Sequence, residues 1–515
     1  MNWNIGYISS KRAAITPEKT AFIFEDKRYT YKALDQGVNR FVDYMHKIGI
    51  KKGDRIAVVM LNCPEFLEIY LACAKLGVIF VPLNWRMVGP ELEYQINDSG
   101  SRLLAFHDSF TMNIDSIRSR VKVEKGRYVY LKSGNSDTPL CPEWAIDYND
   151  AIKEGSTDEL HGPSIVSLDD PLSIVYTSGT TGNPKGAVLS HGQTYFKTFQ
   201  IRSYIDITSE DIILAQLPLF HSGGLFIVAT PALCNGIPMI MRRGFDANQF
   251  AEDIQKYRAT IVFALTTMWN FILKTGKLDE VDVSSVKYSL GGGERTPTSL
   301  FRELSKRGIH LQVGFGQTEN SAMTTVPREF VQSKIGSVGL PGFFTNIWIA
   351  DEDGKEVPMG QVGRMLAQGP CVMSGYWNLP DKTNEVLNNG VLDTGDLGYK
   401  DEDGFLYLVD RAKDMYRSGG ENVYPAEIEK VLYAHSKIAD VAIIGVPDKK
   451  WAEVGKAFVV LKEGETLTLE EIHMFLEGKV AKYKYPRHLE ILKEFPMTST
   501  FKIKKAALKD KEREK

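Results

Sequence analysis

Cysteine is scarce in this chain. Five occur in 515 residues (Cys63, Cys73, Cys141, Cys234 and Cys371), an odd number, widely spaced and with no CxxC pair. That argues against a disulfide framework and offers no zinc-ligand spacing. A dominant charge is lacking too: 62 Lys and Arg stand against 65 Asp and Glu, a formal net charge of −3. A chain so nearly neutral has no global pull toward nucleic acid or anionic lipid. The longest apolar stretch, from Tyr70 to Leu83, is interrupted by Lys75 and is too short to span a bilayer. The start, Met1-Asn2-Trp3-Asn4, leads into polar residues rather than an apolar signal segment. No repeat with a period of roughly 20–50 residues is apparent. These absences predict a reduced, cytoplasmic protein without a transmembrane segment or a nucleic-acid partner.

What is present is ordinary globular material, 43% hydrophobic and 25% charged. Its length exceeds the roughly 250–300 residues at which one hydrophobic core stops growing, so at least two domains are expected. Short β-branched runs alternate with longer amphipathic segments. Residues 55–61 read as a buried strand and 78–81 as the next one. Between them Pro64–Leu76 reads as a helix with Phe66, Leu67, Tyr70 and Cys73 or Ala74 on one side. Further strands are predicted at 212–217, 260–264, 288–290 and 310–313. A helix between the last two opens at Thr296-Pro297 and closes at Gly308. The predicted fold class is α/β: a large N-terminal domain of α/β layers, with mainly parallel sheets.

Past residue 340 the texture becomes β-rich. Asp351-Glu352-Asp353-Gly354 and Asp401-Glu402-Asp403-Gly404 read as hairpin turns, because the oxygen spacing of a calcium loop is missing. This part is expected to form a β-rich subdomain. After Asp410 the pattern shifts to helix, strand and helix over about a hundred residues, enough for a small α+β domain. The tail beyond Lys502 is lysine-rich with interleaved acids. It reads as a solvated helix or frayed end, with a phosphate-binding patch as the alternative.

The most informative segment runs from Tyr176 to Gly186: Tyr-Thr-Ser-Gly-Thr-Thr-Gly-Asn-Pro-Lys-Gly. It lies between strand-like runs at 172–176 and 187–189. Gly179, Gly182 and Gly186 let the backbone bend close to a ligand. Successive N–H groups in such a turn form a nest for an anion. Thr177, Ser178, Thr180 and Thr181 add hydroxyls, and Lys185 adds a cation. The ensemble suits a polyphosphate. It is not a Walker A loop, since Asn183-Pro184 separates Gly182 from Lys185 and Gly186 follows the lysine.

Further motifs follow. Leu217-Pro-Leu-Phe-His-Ser-Gly-Gly224 places His221 just beyond a strand. Gly291-Gly-Gly-Glu294 and Gly314-Phe-Gly-Gln-Thr-Glu319 each follow a strand, where ligands collect in open α/β sheets. In the second, Phe315 offers a ring for stacking, Thr318 a hydroxyl, and Glu319 a hard oxygen for Mg²⁺. Leu392-Asp-Thr-Gly-Asp396, Asp410-Arg-Ala-Lys-Asp414, Arg417-Ser-Gly-Gly-Glu421 and Pro496-Met-Thr-Ser-Thr-Phe-Lys502 complete the series. In these motifs and in this order the chain resembles the adenylate-forming superfamily, in particular its acyl-CoA synthetases. The superfamily also holds peptide-synthetase adenylation domains and beetle luciferases.

The resemblance implies an N-terminal adenylation domain over residues 1–411 and a mobile C-terminal domain over 412–515. It assigns the loop Thr177, Ser178, Gly179, Thr180, Thr181, Gly182 and Lys185 to the phosphates of ATP. Gly292, Gly293, Glu294, Phe315 and Gly316 go to adenine and the acyl group, and Thr318 to the α-phosphate. Glu319 goes to Mg²⁺, His221 to the acyl pocket, and Asp396 and Arg411 to the ribose or phosphate. Lys413 is the hinge, Gly419 and Gly420 border the pantetheine tunnel, and Lys502 is the catalytic lysine. The residue before that lysine is usually Gly; here it is Phe501, and Lys504 or Lys505 is the alternative.

The implied reaction activates a carboxylate with ATP to acyl-AMP and passes the acyl group to coenzyme A. A medium- or long-chain fatty acid is favoured, because Ser222, Gly223 and Gly224 leave room beyond a two-carbon acid. An aromatic or alicyclic acid is the alternative. With no carrier domain after the lysine motif, free CoA is favoured over a carrier protein. A homodimer stays open as an assembly.

Overall fold

The computed structural model describes residues 3–133, 140–159, 166–177, 183–293, 296–418, 421–497 and 503–513. Ser178, Gly179, Thr180, Thr181, Gly182, Glu294, Gly419, Gly420, Phe501 and Lys502 lie outside the described residues. The chain forms two compact units. The first joins Met1–Ile335, Gly339–Asn346 and Gln368–Gly390; the second joins Gly336–Val338, Ile347–Ala367 and Val391–Lys515. Among the described residues no helix is long and apolar enough to cross a membrane.

Two sheets build the first unit. One has eight strands in the order Gly375–Tyr376, Lys185–Ser190, Pro171–Thr177, Ile79–Pro82, Arg55–Val59, Leu103–His107, Tyr128–Leu131 and Ile146–Asp147. The other has nine, from Leu340–Pro341 through Ser321–Thr325, Leu311–Gln317, Tyr288–Gly292 and Ile261–Phe263 to the N-terminal hairpin Thr20–Phe24 and Lys27–Thr30. Both are parallel at the centre and antiparallel at an edge. Their central strands read as continuous apolar runs because helices cover both faces.

The helix Pro64–Leu76 forms where periodicity places it, with Pro at its start and a left-handed Gly77 (φ 69°) at its end. Lys75, which breaks the apolar run, has a side chain only 6% exposed and pairs with Asp35 at 2.8 Å. The segment opened by Thr296-Pro297 folds as the helix Thr298–Ser305.

The second unit holds a sheet of Asn346–Ala350, Gly363–Gln368, Val391–Lys400 and Leu406–Arg411. Both Asp-Gly segments are turns, closed by their own first side chain: Asp351 Oδ1 accepts from the Asp353 N–H at 3.0 Å, and Asp401 Oδ1 from the Asp403 N–H at 3.1 Å. Beyond them lies another sheet, of five strands, built around the antiparallel pair Ile438–Asp448 and Ala452–Leu461, where the sequence pattern predicts one strand. Alternation along the first of these strands serves two cores. Val441 and Ile443 pack with the helices Pro425–Leu432 and Leu469–Leu476, while Ala442, Ile444 and Val446 pack with Phe495 and Leu508. Leu508 belongs to the helix Lys505–Arg513, so the lysine-rich tail is a docked helix.

Candidate active site

The glycine-rich loop connects two antiparallel strands, with Thr177 opposite Lys185. The Thr177 hydroxyl donates to the Lys185 carbonyl at 3.3 Å and closes the mouth of the hairpin. On its other edge the strand Lys185–Ser190 pairs with Gly375–Tyr376, and the Trp377 N–H donates to the Gly186 carbonyl at 2.7 Å. The Lys185 ammonium lies over the Tyr376 ring, 5.0 Å from its centroid. A cation over an aromatic face at such a distance is attracted by the ring's negative face.

The strand predicted to stop at Val313 runs on to Gln317, so most of the Gly-Phe-Gly-Gln-Thr-Glu motif lies inside it. Thr318, Glu319 and Asn320 form the turn to the strand Ser321–Thr325, and Asn320 Oδ1 caps that turn by accepting from the Gln317 N–H at 2.8 Å. Gly316 is required here: a Cβ would sit 1.7 Å from the Ser321 carbonyl oxygen. The tight hairpin presents Thr318 and Glu319 at its tip. Thr318 Oγ1 lies 3.4 Å from Ser222 Oγ. Glu319 Oε1 accepts from the Tyr376 hydroxyl at 2.9 Å. The two sheets of the first unit are thus joined at this point by side chains expected to hold ATP.

Only one carboxylate stands in this cluster, and no group of three metal-ligating side chains occurs among the described residues. Such a donor set does not build a protein cage for a metal. It does fit Mg²⁺, which takes one or two carboxylates and completes its shell from substrate phosphates and water.

The neighbouring strand Tyr288–Gly292 runs parallel to Leu311–Gln317, with Gly292 opposite Gly314. A Cβ on Gly292 would meet the Gly314 carbonyl oxygen at 2.5 Å, so the two backbones form a bare surface suited to a flat ring. Gly293 follows at the strand's end. Phe315 is buried, and its N–H donates to Thr324 Oγ1 at 3.1 Å. His221 is exposed, with Nδ1 accepting from the Gly223 N–H at 3.2 Å. The chain then enters a π-helix, Gly223–Ala229, a geometry that recurs at functional sites. The predicted spaciousness holds only in part. A Cβ on Gly224 would lie 2.2 Å from the Pro218 carbonyl oxygen, so this glycine serves a close backbone approach rather than open pocket volume.

In the second unit Asp396 and Arg411 face each other across an antiparallel pair, and Arg411 Nε donates to Asp396 Oδ1 at 2.6 Å. Asp396 is buried while Arg411 is 45% exposed in its side chain, so the arginine has donors left for a ligand. Lys413 lies in the turn after Arg411. Its carbonyl accepts from Lys509 at 2.9 Å, and Lys509 also pairs with Asp414 at 3.3 Å. Lys505, an alternative for the catalytic lysine, is half-buried and pairs with Glu429 at 2.7 Å. That pairing gives it a structural role, which weighs against it as the catalytic lysine.

The family described as AMP-binding enzyme matches residues 9–377, and the AMP-binding enzyme C-terminal domain matches 427–502. The chain belongs to the AMP-binding enzyme family. It is similar to a feruloyl-CoA synthase of an Amycolatopsis species, 34% identical over 509 residues that cover 99% of both chains. It is also similar to the long-chain-fatty-acid–CoA ligase FadD13 of Mycobacterium tuberculosis, 33% identical over 514 residues, 98% of each chain. Among solved structures, the o-succinylbenzoate-CoA synthetase of Bacillus subtilis in complex with ATP and magnesium ion shares 31% identity. That match covers 98% of this chain and 99% of the other, with a TM-score of 0.86. This AMP-binding enzyme is an acid–thiol ligase of the AMP-forming kind.

Several residues of the enzyme's site escape the motif reading. Tyr376, outside every quoted motif, contacts Glu319 directly, and Ser222, which lies within one, contacts Thr318. Trp377 Nε1 and Tyr176 both bond Asp98, at 3.2 and 2.6 Å, and so tie the loop hairpin to the helix Gly89–Ser99. Lys197, on the helix His191–Tyr204, is 2% exposed. Burial pushes its ammonium down to about 8, with Cys371 and Glu319 close enough to act in the opposite direction. Burial also pushes the Cys371 thiol up to about 11, which Lys197 partly offsets. In sequence, an aromatic after Ser-Gly or a lysine in mid-helix carries no signal of this kind.

Proposed function

We propose that the enzyme couples a carboxylic acid to coenzyme A in two half-reactions, using ATP and Mg²⁺. A carboxylate is a poor electrophile, since its charge repels nucleophiles and oxide is a bad leaving group. In the first half-reaction a carboxylate oxygen attacks the α-phosphorus of ATP in line, and pyrophosphate leaves. Catalysis of such a step is positioning plus fixed positive charge. Thr177 and Lys185 hold the terminal phosphates with the intervening loop, Thr318 donates to the α-phosphate, and Phe315 with Gly292, Gly293 and Gly316 receives adenine. Magnesium, when bound at Glu319, neutralises charge on the phosphates. Asp396 and Arg411 take the ribose, and Lys502 pairs with the reacting carboxylate and the α-phosphate. In the second half-reaction the CoA thiol displaces AMP. Lys413 is the pivot between residues 1–411 and 412–515, and Gly419–Gly420 face pantetheine.

The observation that carries this reading is the linked set at the tip of the Gln317–Ser321 turn: Thr318 on Ser222, and Glu319 on Tyr376 beneath the Lys185 ammonium. For the acyl group, a medium- or long-chain fatty acid is supported by the similarity to a fatty-acid ligase. An aryl acid has equal support from the similarity to a feruloyl-CoA synthase. The test is CoA-dependent AMP release across a panel of fatty, aryl, alicyclic and dicarboxylic acids. Turnover of at least one class with CoA supports the reading. AMP release that never requires CoA contradicts it.

A further inference from the structure

Lys197 stands apart from every other lysine in the first unit's site. Its helix, His191–Tyr204, is capped at Ser190, and Lys197 falls on the inward face together with Thr194, Thr198 and Ile201. The side chain is 2% exposed, yet its ammonium finds no hydrogen-bond partner among the described residues. The Phe226 ring lies beside it, 5.7 Å from centroid to nitrogen. An ammonium buried without an acceptor costs several kcal/mol in general, and folds keep such a group only where something offsets it. The acid within its electrostatic reach is Glu319, together with the Cys371 thiol. Glu319 acts on the lysine at a distance but makes no hydrogen bond or ion pair with it among the described residues, and it is the residue assigned to Mg²⁺.

The surroundings say what kind of anion completes the set. Phe226 belongs to the π-helix that continues His221, Ser222 and Gly223, and Ser222 touches Thr318. Through Phe226, Lys197 packs against the π-helix that follows His221 and Ser222, next to the motif assigned to the acyl pocket. We propose that Lys197 is a specificity-determining residue that pairs with a second carboxylate of the acyl substrate, so that the preferred substrate class is a dicarboxylic acid. This rests on the CoA-ligase reading above. One carboxylate forms the bond to the α-phosphorus and expels pyrophosphate; the other keeps its charge, makes no covalent bond and remains free in the product. A monocarboxylic acid of the same length leaves the ammonium unpaired and forfeits that contact.

The experiment compares kcat/KM for acyl-CoA formation between straight-chain dicarboxylic acids and monocarboxylic acids of matched length, in the wild type, Lys197→Met and Lys197→Arg. The wild type is expected to favour a dicarboxylic acid by 100-fold or more. Lys197→Met is expected to lower that ratio by at least 100-fold and Lys197→Arg to retain most of it. Methionine removes an unpaired buried charge and keeps the bulk, so the Met variant is expected to melt at or above the wild-type temperature, which separates a selectivity effect from unfolding. A wild type that prefers monocarboxylic acids, or a Met variant that slows both classes equally, overturns the assignment of Lys197 and leaves the ligase reading standing. Failure of every acid, with and without CoA, overturns the ligase reading itself and this inference with it.

Discussion

Tyr376 donates its hydroxyl to Glu319 at 2.9 Å while its ring lies 5.0 Å from the Lys185 ammonium. One aromatic side chain thus positions both the carboxylate expected to meet Mg²⁺ and the cation expected to meet the terminal phosphates. Outer partners of this kind orient a ligand and are worth 10–100-fold in metal affinity or activity. Tyr376→Phe keeps the ring under Lys185 and removes only the hydroxyl. The expected result is a rise of roughly 10-fold or more in the Mg²⁺ concentration needed for half-maximal pyrophosphate exchange, with melting temperature unchanged. An unaltered Mg²⁺ titration contradicts this role.

Gly316→Ala is expected to destabilise the enzyme by about 3 kcal/mol or more, since the new methyl would sit 1.7 Å from the Ser321 carbonyl oxygen and the hairpin has no slack. Gly244→Ala is the control, because nothing lies within 4 Å of a Cβ there. Thermal melts of the two variants check the contrast.

The sequence pattern made the parallel-sheet layers legible, because buried strands and the helix Pro64–Leu76 announce themselves by runs of apolar residues and good terminal chemistry. It misplaced the strand end at Val313, since glycines at 314 and 316 look like a stop when they in fact allow close strand pairing. It missed Tyr376 and Lys197 for a different reason. Each matters through a neighbour distant in sequence, and a lysine within a helix reads as solvated until the packing on every side of that helix is known. The double-sided core around Ile438–Asp448 was hidden likewise, because a tail of lysines gives no hint that Leu508 docks.

Lys505→Met is expected to cost on the order of 3–5 kcal/mol in urea unfolding, because it strands the Glu429 carboxylate. The double variant with Glu429→Gln is expected to recover part of that loss. A single variant as stable as the wild type would reopen Lys505 as a catalytic candidate.

His107 and His191 are both fully buried, and burial depresses each from 6.5 to about 4. Each accepts a backbone N–H on Nδ1, from Leu61 at 2.9 Å and from Ile5 at 3.1 Å, which fixes the neutral form. For a base whose folded value is lowered, the stabilisation is fully present above the unfolded value of 6.5 and is lost as pH falls toward about 4. The linkage amounts to roughly 3 kcal/mol per histidine at most. Unfolding free energy measured from pH 7 to pH 4 is expected to fall less steeply in His191→Gln than in the wild type. Parallel slopes would contradict the assignment.

Pyrophosphate exchange by Lys502→Ala, measured beside CoA thiolysis of supplied acyl-AMP, tests the two-step account most directly. Loss of one charge-assisted contact at the reacting phosphate predicts exchange slowed by about 10²–10³-fold or more, with thiolysis within a few-fold of the wild type. Exchange that persists near the wild-type rate, or thiolysis that falls in step with it, would contradict the account.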